Sequence, residues 1–327
     1  MEMQVTTLPS HRPPVLSQAG KSPEAPKQAY DPQNFVDAWE ASRQEPPHLR
    51  GVVYRQSADG SVEVLKYSGQ TTDSLPPDIP ESAVKDGRVV IYVDGIHQDW
   101  GEQQRQIRHF LHGRSEVGAD VGQDVIGIHE GAGPSGFKDG VRIAKVLSML
   151  KLVQTGLVPL KWAQKKVFTI DPAVKSVHDQ LKQSLLADRK VQLMTHSGGG
   201  AETAMALTLL QKQGFGEKIE QNVRLLSLAS AASLKDFTRA GVKAENIYYT
   251  GSKRDPVHYM FRHFIHPFAP LSTALFAANA ARYLWGLATS SDPNGLAVHS
   301  PDYVFAHNHP RIQAFLDGGP GGVHRLP

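Results

Sequence analysis

The stretch from Arg189 to Gln213, RKVQLMTHSGGGAETAMALTLLQKQ, constrains the fold of this chain more than any other. Val191 to Met194 form a short apolar run of strand character, and Ala201, Ala204, Met205 and Leu209 recur at helical spacing. Between them Thr195 to Gly200 are small and glycine-rich. The pattern predicts strand, sharp turn and helix, with Ser197 at the apex, where such a turn lifts a hydroxyl clear of the sheet edge. Gly199 provides the small residue that the tight backbone needs after the serine; Thr195 is larger than is usual before it. A second reading of the same residues is a glycine-opened helix whose free N–H groups hold a phosphate or simply begin the helix. No Lys-Ser or Lys-Thr pair follows the glycines, which argues against a Walker-type phosphate loop.

The rest of the chain supplies alternating strands and helices around that stretch. Gly51 to Tyr67 shows two alternating runs about Ala58-Asp59-Gly60, a hairpin signal, and a Pro-rich link containing Thr71 to Ser82 follows. Arg88 to Val93 (RVVIYV) is continuous and β-branched, as a strand covered on both faces should be. Gln103 to His112 reads as the next helix and Asp124 to His129 as the next strand, followed by a glycine-rich loop from Glu130 to Gly136. Two helices are predicted over 137–152 and 172–186, joined by LVPLKWAQKK; they exceed one crossover, which suggests an insertion near 137–170 over the site. Val223 to Ala229 and Asn246 to Thr250 are further strands. The fold class expected is α/β.

At 327 residues the chain is long enough for one large α/β domain with additions, the division favoured here. Residues 1–30 read as a disordered Pro/Ser-rich tail, 31–87 as an N-terminal helix, hairpin and linker, 88–318 as the core with a second insertion near 258–290, and 319–327 as a flexible tail. A formal charge of +3 is too small to argue for nucleic acid. Without cysteine there is no disulfide framework and no thiolate metal site. The first residues lack a basic start followed by an apolar run, so a cytoplasmic protein, or one exported without a cleavable Sec signal, is expected.

Thr195-His196-Ser197-Gly198-Gly199 resembles the G-x-S-x-G nucleophile elbow of the α/β-hydrolase superfamily. Further residues resemble the family in the same order. Asp94-Gly95-Ile96-His97 ends the strand before the first helix, where the family carries a His-Gly-like turn; here Asp94 stands in place of the histidine. Gly251 to Val257 (GSKRDPV) resembles the context of the family's triad acid. GLAVHSPDYVFAHNHPRIQAFL resembles the end of many lipase and esterase chains, with His299, Tyr303, Asn308 and residues 311–316 in step.

The resemblance implies a mostly parallel, doubly wound sheet with helices on both faces and a helical cap. It also implies a lipase- or esterase-like serine hydrolase with Ser197 as nucleophile, Asp255 as acid and His299 as base. The backbone N–H groups of Ile96 and Gly198 would form the oxyanion hole, with Thr195, His196 and Gly199 completing the elbow. No cofactor is implied, and the partner expected is a small-molecule or lipid ester. His307 and His309 are rivals of His299, and Asp255 read by itself is also an ordinary initiator of a Pro turn.

Several alternatives follow from the same residues. The fold type also hosts thioesterases, amidases, peptidases and acyltransferases, and a protein that binds a ligand without turning it over. A Rossmann-like phosphate binder would need an acid after the strand following the elbow, yet that strand ends Ala229-Ser230-Ala231-Ala232-Ser233. His258, His263 and His266 lack an i, i+4 pair and an accompanying carboxylate motif, so no metal is expected. Leu271 to Ala288 is apolar but holds Asn279 and Arg282, so it reads as a core or cap helix rather than a membrane span, and leaves room for peripheral membrane contact.

Overall fold

A computed structural model describes residues 50–66, 78–95, 100–113, 121–131, 136–252, 255, 299 and 301–326. The expected tail over 1–30, the helix near residue 34, most of the Pro-rich link, the segment 258–290 and Ile96 lie outside these residues.

The strands follow from apolar runs interrupted by turn residues. β1 (Val52–Gln56) and β2 (Val62–Lys66) form the predicted antiparallel hairpin. The short β3 (Val84–Lys85) pairs antiparallel with β4 (Arg88–Val93), and β5 (Val125–His129), β6 (Lys190–His196), β7 (Val223–Leu228), β8 (Ile247–Ser252) and β9 (Gly322–Leu326) complete one sheet. Its order is β2-β1-β5-β4-β6-β7-β8-β9; β1 is antiparallel to β5, and the strands from β5 to β9 are parallel to their neighbours. β9 corrects the expectation of a flexible tail over 319–327: Gly322 to Leu326 lie alongside Tyr248 to Ser252 as a parallel strand.

The helices are α1 (Trp100–Gln106, continued by a π turn through Leu111), α2 (Gly136–Gln154), α3 (Leu160–Ile170), α4 (Pro172–Leu186), α5 (Gly198–Leu210), α6 (Gly216–Asn222), α7 (Leu234–Arg239) and α8 (Pro301–Leu316). Two differ materially from expectation. The segment joining the predicted helices is itself a helix, α3, which buries Ala163 and Val167 at i, i+4 and presents lysines outward. α8 begins at Pro301, ten residues before the closing helix expected at Arg311, and runs through Pro310.

Because strand side chains alternate, β4 feeds two cores. Val89, Ile91 and Val93 join the cluster containing Ile143, Val146 and Leu150 of α2, Val177 and Leu181 of α4, and Ala204 and Leu207 of α5. Val90 and Tyr92 join the other, with Phe110, Phe305 and Phe315; the Phe110 and Phe305 rings stack at 4.2 Å. Helices therefore cover both faces, the arrangement that permits a continuous apolar strand. All thirteen residues of α5 are buried, with α2 and α4 packed against it. The segment expected as an insertion over 137–170 supplies α2 and α3.

Candidate active site

β6 passes into α5 through one residue. Ser197 adopts φ 50°, ψ −121°, a conformation costly for a residue with a side chain, by roughly 1–3 kcal/mol. The backbone around it is pinned: Ser197 N–H donates to the Leu228 carbonyl at 3.1 Å, and the Ser197 carbonyl accepts from Ala231 N–H at 2.9 Å and Gly200 N–H at 3.2 Å. Close contact accounts for the glycines. A Cβ on Gly95 would stand 2.6 Å from the Ser197 Cβ and 2.8 Å from His196 Nδ1, and one on Gly199 would strike the Asp94 carbonyl oxygen. Thr195 is accommodated as the penultimate residue of β6, paired with Val93 and Ser227, with its buried hydroxyl unpartnered.

Three residues far apart in sequence meet at this turn. His299 Nε2 lies 2.8 Å from Ser197 Oγ, and His299 Nδ1 lies 3.0 Å from both oxygens of Asp255. All three are buried: Asp255 completely, Ser197 and His299 with only a few per cent of their surface accessible. A carboxylate accepting from Nδ1–H leaves the Nε2 lone pair facing the serine hydroxyl, the arrangement in which an imidazole can take its proton. Gly198 is the first residue of α5, so its N–H has no acceptor within the helix. His307 and His309 fall in α8, but their side chains are outside the described residues.

His196 has a part that the sequence did not reveal. Its Nε2–H donates to the His299 carbonyl at 2.8 Å, and the two rings are 4.9 Å apart. Burial, with the neighbouring His299 adding to it, lowers its pKa to about 3, so the imidazole stays neutral and keeps its single N–H on the histidine backbone. The result ties the residue before the serine to the residue that faces it.

Asp94, the departure noted in the sequence, is an acceptor inside the fold. It is buried, taking the Glu130 N–H at 2.7 Å and facing His129 Nδ1 at 2.9 Å; Gln103 Oε1 lies 3.1 Å from the same nitrogen. These contacts fasten the end of β4, and with it Gly95 beside the serine, to the end of β5. A histidine in this place would have no negative charge to offer them.

Beyond Glu130 lies a buried charge cluster. Arg142 of α2 contacts Glu130, Asp171 and, at 2.9 Å, Glu202 of α5; Asp139 is 3.6 Å from it and 3.0 Å from Arg50. Four carboxylates thus face two guanidinium groups, and one oxygen each of Glu130 and Glu202 has no partner. Desolvation raises Glu130 to about 8 against the opposing pull of Arg142, and raises Glu202 as well. The carboxylates in turn hold the Arg142 proton more tightly. Asp171 also caps α4, accepting Ala173 N–H at 3.1 Å ahead of Pro172 in the first turn.

Among the described residues no group of three His, Asp or Glu is placed to hold a metal ion, and no helix is long and apolar enough to cross a membrane. His258, His263 and His266 are outside those residues. Comparison with protein-family models, with curated proteins and with solved structures returns no match.

Proposed function

We propose that the chain is a serine hydrolase of the α/β-hydrolase type that cleaves a carboxylic ester through Ser197, His299 and Asp255. The observation that carries the reading is the unbroken series from Ser197 Oγ through His299 to Asp255, at 2.8 Å and 3.0 Å. It is supported by the strained backbone of Ser197 at the C-terminal end of a central parallel strand.

In this mechanism His299 Nε2 accepts the Ser197 proton as Oγ attacks the ester carbonyl carbon. The oxygen that becomes negative is held by the Gly198 N–H and, as second donor, the backbone N–H of Ile96; one such donor is typically worth about 3 to 4 kcal/mol in the transition state. Collapse expels the alcohol, which takes the proton from His299, and leaves an acyl group on Ser197. Water, deprotonated by the same imidazole, then releases the acid. Asp255 holds the tautomer and stabilises the imidazolium formed in each half. His196, staying neutral, fixes the backbone of His299 without competing for the proton.

A panel of p-nitrophenyl esters of increasing acyl length tests the proposal. Turnover in the wild type that is lost in His299→Ala and in Asp255→Asn supports it. Hydrolysis that persists at the wild-type rate in both variants rejects it.

A further inference from the structure

Between Asp139 and Asp171 the sequence holds no acidic residue and six basic ones: Arg142, Lys145, Lys151, Lys161, Lys165 and Lys166. Two of these are used inside the protein, Arg142 in the buried cluster and Lys151 against Asp236. The other four are exposed and make no ion pair among the described residues. On α3, Lys161, Trp162, Lys165, Lys166 and Thr169 form the outward face, opposite the buried Ala163 and Val167. Trp162 is 51% exposed, and Leu157, in the turn before this helix, is 62% exposed. Between Lys145 and Lys166 runs an open groove of about 350 Å³ whose walls are Met149, Leu152 and Ile170, with Ser148 as its uncharged polar residue.

We infer that this face of α2 and α3 docks onto a membrane surface carrying anionic lipid headgroups. Charge complementarity selects that occupant: four lysines that make no ion pair among the described residues, with no carboxylate between them in the sequence, match a layer of negative headgroups. The apolar groups fit the boundary beneath it. An indole is suited to the level between headgroup and acyl chain, and the lysine stems can lie along apolar surface while their ammonium groups stay in the polar layer. A nucleic acid would use the same cations, but it gives no burial to Leu157 or to the Met149, Leu152 and Ile170 walls.

The Leu157 end of this face is remote from the serine. α2 runs alongside α5 with Arg142 beside Glu202 and Gln154 beside Thr208, so Leu157 lies toward the end of α5 remote from Ser197, about 15 Å farther along at 1.5 Å per residue. Docking would therefore tether the protein without requiring the serine to be in use, and the inference stands independently of the hydrolase reading.

Flotation of the full-length chain with phosphatidylcholine vesicles, and with vesicles also containing phosphatidylserine, tests it. Binding to the phosphatidylserine vesicles alone, weakening as salt is raised, is expected. Combined Lys161→Glu, Lys165→Glu and Lys166→Glu should reduce it about a hundredfold or more, and Leu157→Ala with Trp162→Ala about tenfold. All five positions are exposed, and an unchanged thermal transition confirms folding of the variants. The Ser197→Ala protein should float as the wild type does, which separates this test from one of hydrolysis. Equal flotation with neutral vesicles, an unchanged triple variant, or capture of duplex DNA or polyglutamate in place of vesicles would overturn the inference.

Discussion

Two buried sets of ionisable side chains adjoin the same edge of the sheet, and they are built on opposite plans. Ser197, His299 and Asp255 form a line in which each donor has one acceptor, ending at the strained backbone of β6. The cluster around Arg142 has more acids than it can satisfy, with an oxygen of Glu130 and of Glu202 left without a partner. A line of this kind is suited to moving one proton, between the serine oxygen and the imidazole, while the carboxylate stays ionised. A surplus of carboxylates around one guanidinium keeps protons and binds α2, α4 and α5 together. On the proposed reading, reactivity belongs to the first set and cohesion to the second.

Removing the hub of the cluster should therefore have the largest effect on stability. Arg142→Met leaves the Asp171 carboxylate and the carboxyl groups of Glu130 and Glu202 buried without their cation, and breaking a buried pair in this way costs about 3–5 kcal/mol. Denaturant unfolding should show that loss; a cost below about 1 kcal/mol would break the distinction. On the other side, Asp255→Asn should reduce kcat for a turned-over ester by about 10³- to 10⁴-fold, because the imidazole loses the partner that fixes its tautomer, while the protein stays folded. A variant that unfolds instead would make Asp255 a structural residue like Asp171.

The next effect is on pH dependence, and the two regions contribute with opposite sign. His196 stays neutral in the fold down to about pH 3, whereas it takes a proton near 6.5 when unfolded. The unfolded chain then binds the extra proton between those values, so stability falls on acidification below about 6.5, by up to about 1.4 kcal/mol per pH unit. Glu130 keeps its proton in the fold up to about 8 but loses it near 4.5 when unfolded, so stability falls as pH rises through that window. Denaturant melts across the range should show His196→Gln flattening the acid limb and Glu130→Gln the limb toward pH 8. Identical limbs in wild type and both variants would contradict these protonation states.

The smallest change expected is at Thr195. Its hydroxyl is buried and unpartnered, so Thr195→Val should leave stability within about 1 kcal/mol and the turnover rate unaltered. A large loss of rate would make the threonine a participant in the site.

How much of this the sequence disclosed depended on the range of the interactions. β4, the β1–β2 hairpin and the junction of β6 with α5 follow from local patterns, and the structure places them at or within a residue or two of their predicted limits. Ser197, Asp255 and His299 were legible because each sits in a short characteristic context, and the fold closes separations of 44 and 102 residues between them. The Arg142 cluster has no such context. Its members come from the residue after β5, α2, the cap of α4 and α5, and only side-chain packing brings them together. A trace was present nonetheless: Glu202 is the sole charged residue in the otherwise small and apolar α5. α3 was missed as a helix because Pro159 and the close-set lysines resemble a linker, yet the buried Ala163 and Val167 set its face. β9 was missed because a Gly- and Pro-rich end gives no strand signal, although Val323 has its place opposite Tyr249 once the sheet exists.

The most direct test of the Ser197 series is reaction of the folded protein with a fluorophosphonate, read by intact mass and by mapping of the modified peptide. One adduct on Ser197, absent in Ser197→Ala and formed far more slowly in His299→Ala, is the result predicted. A folded wild type that takes up no adduct, with or without detergent micelles, or an adduct on another residue, would contradict the account.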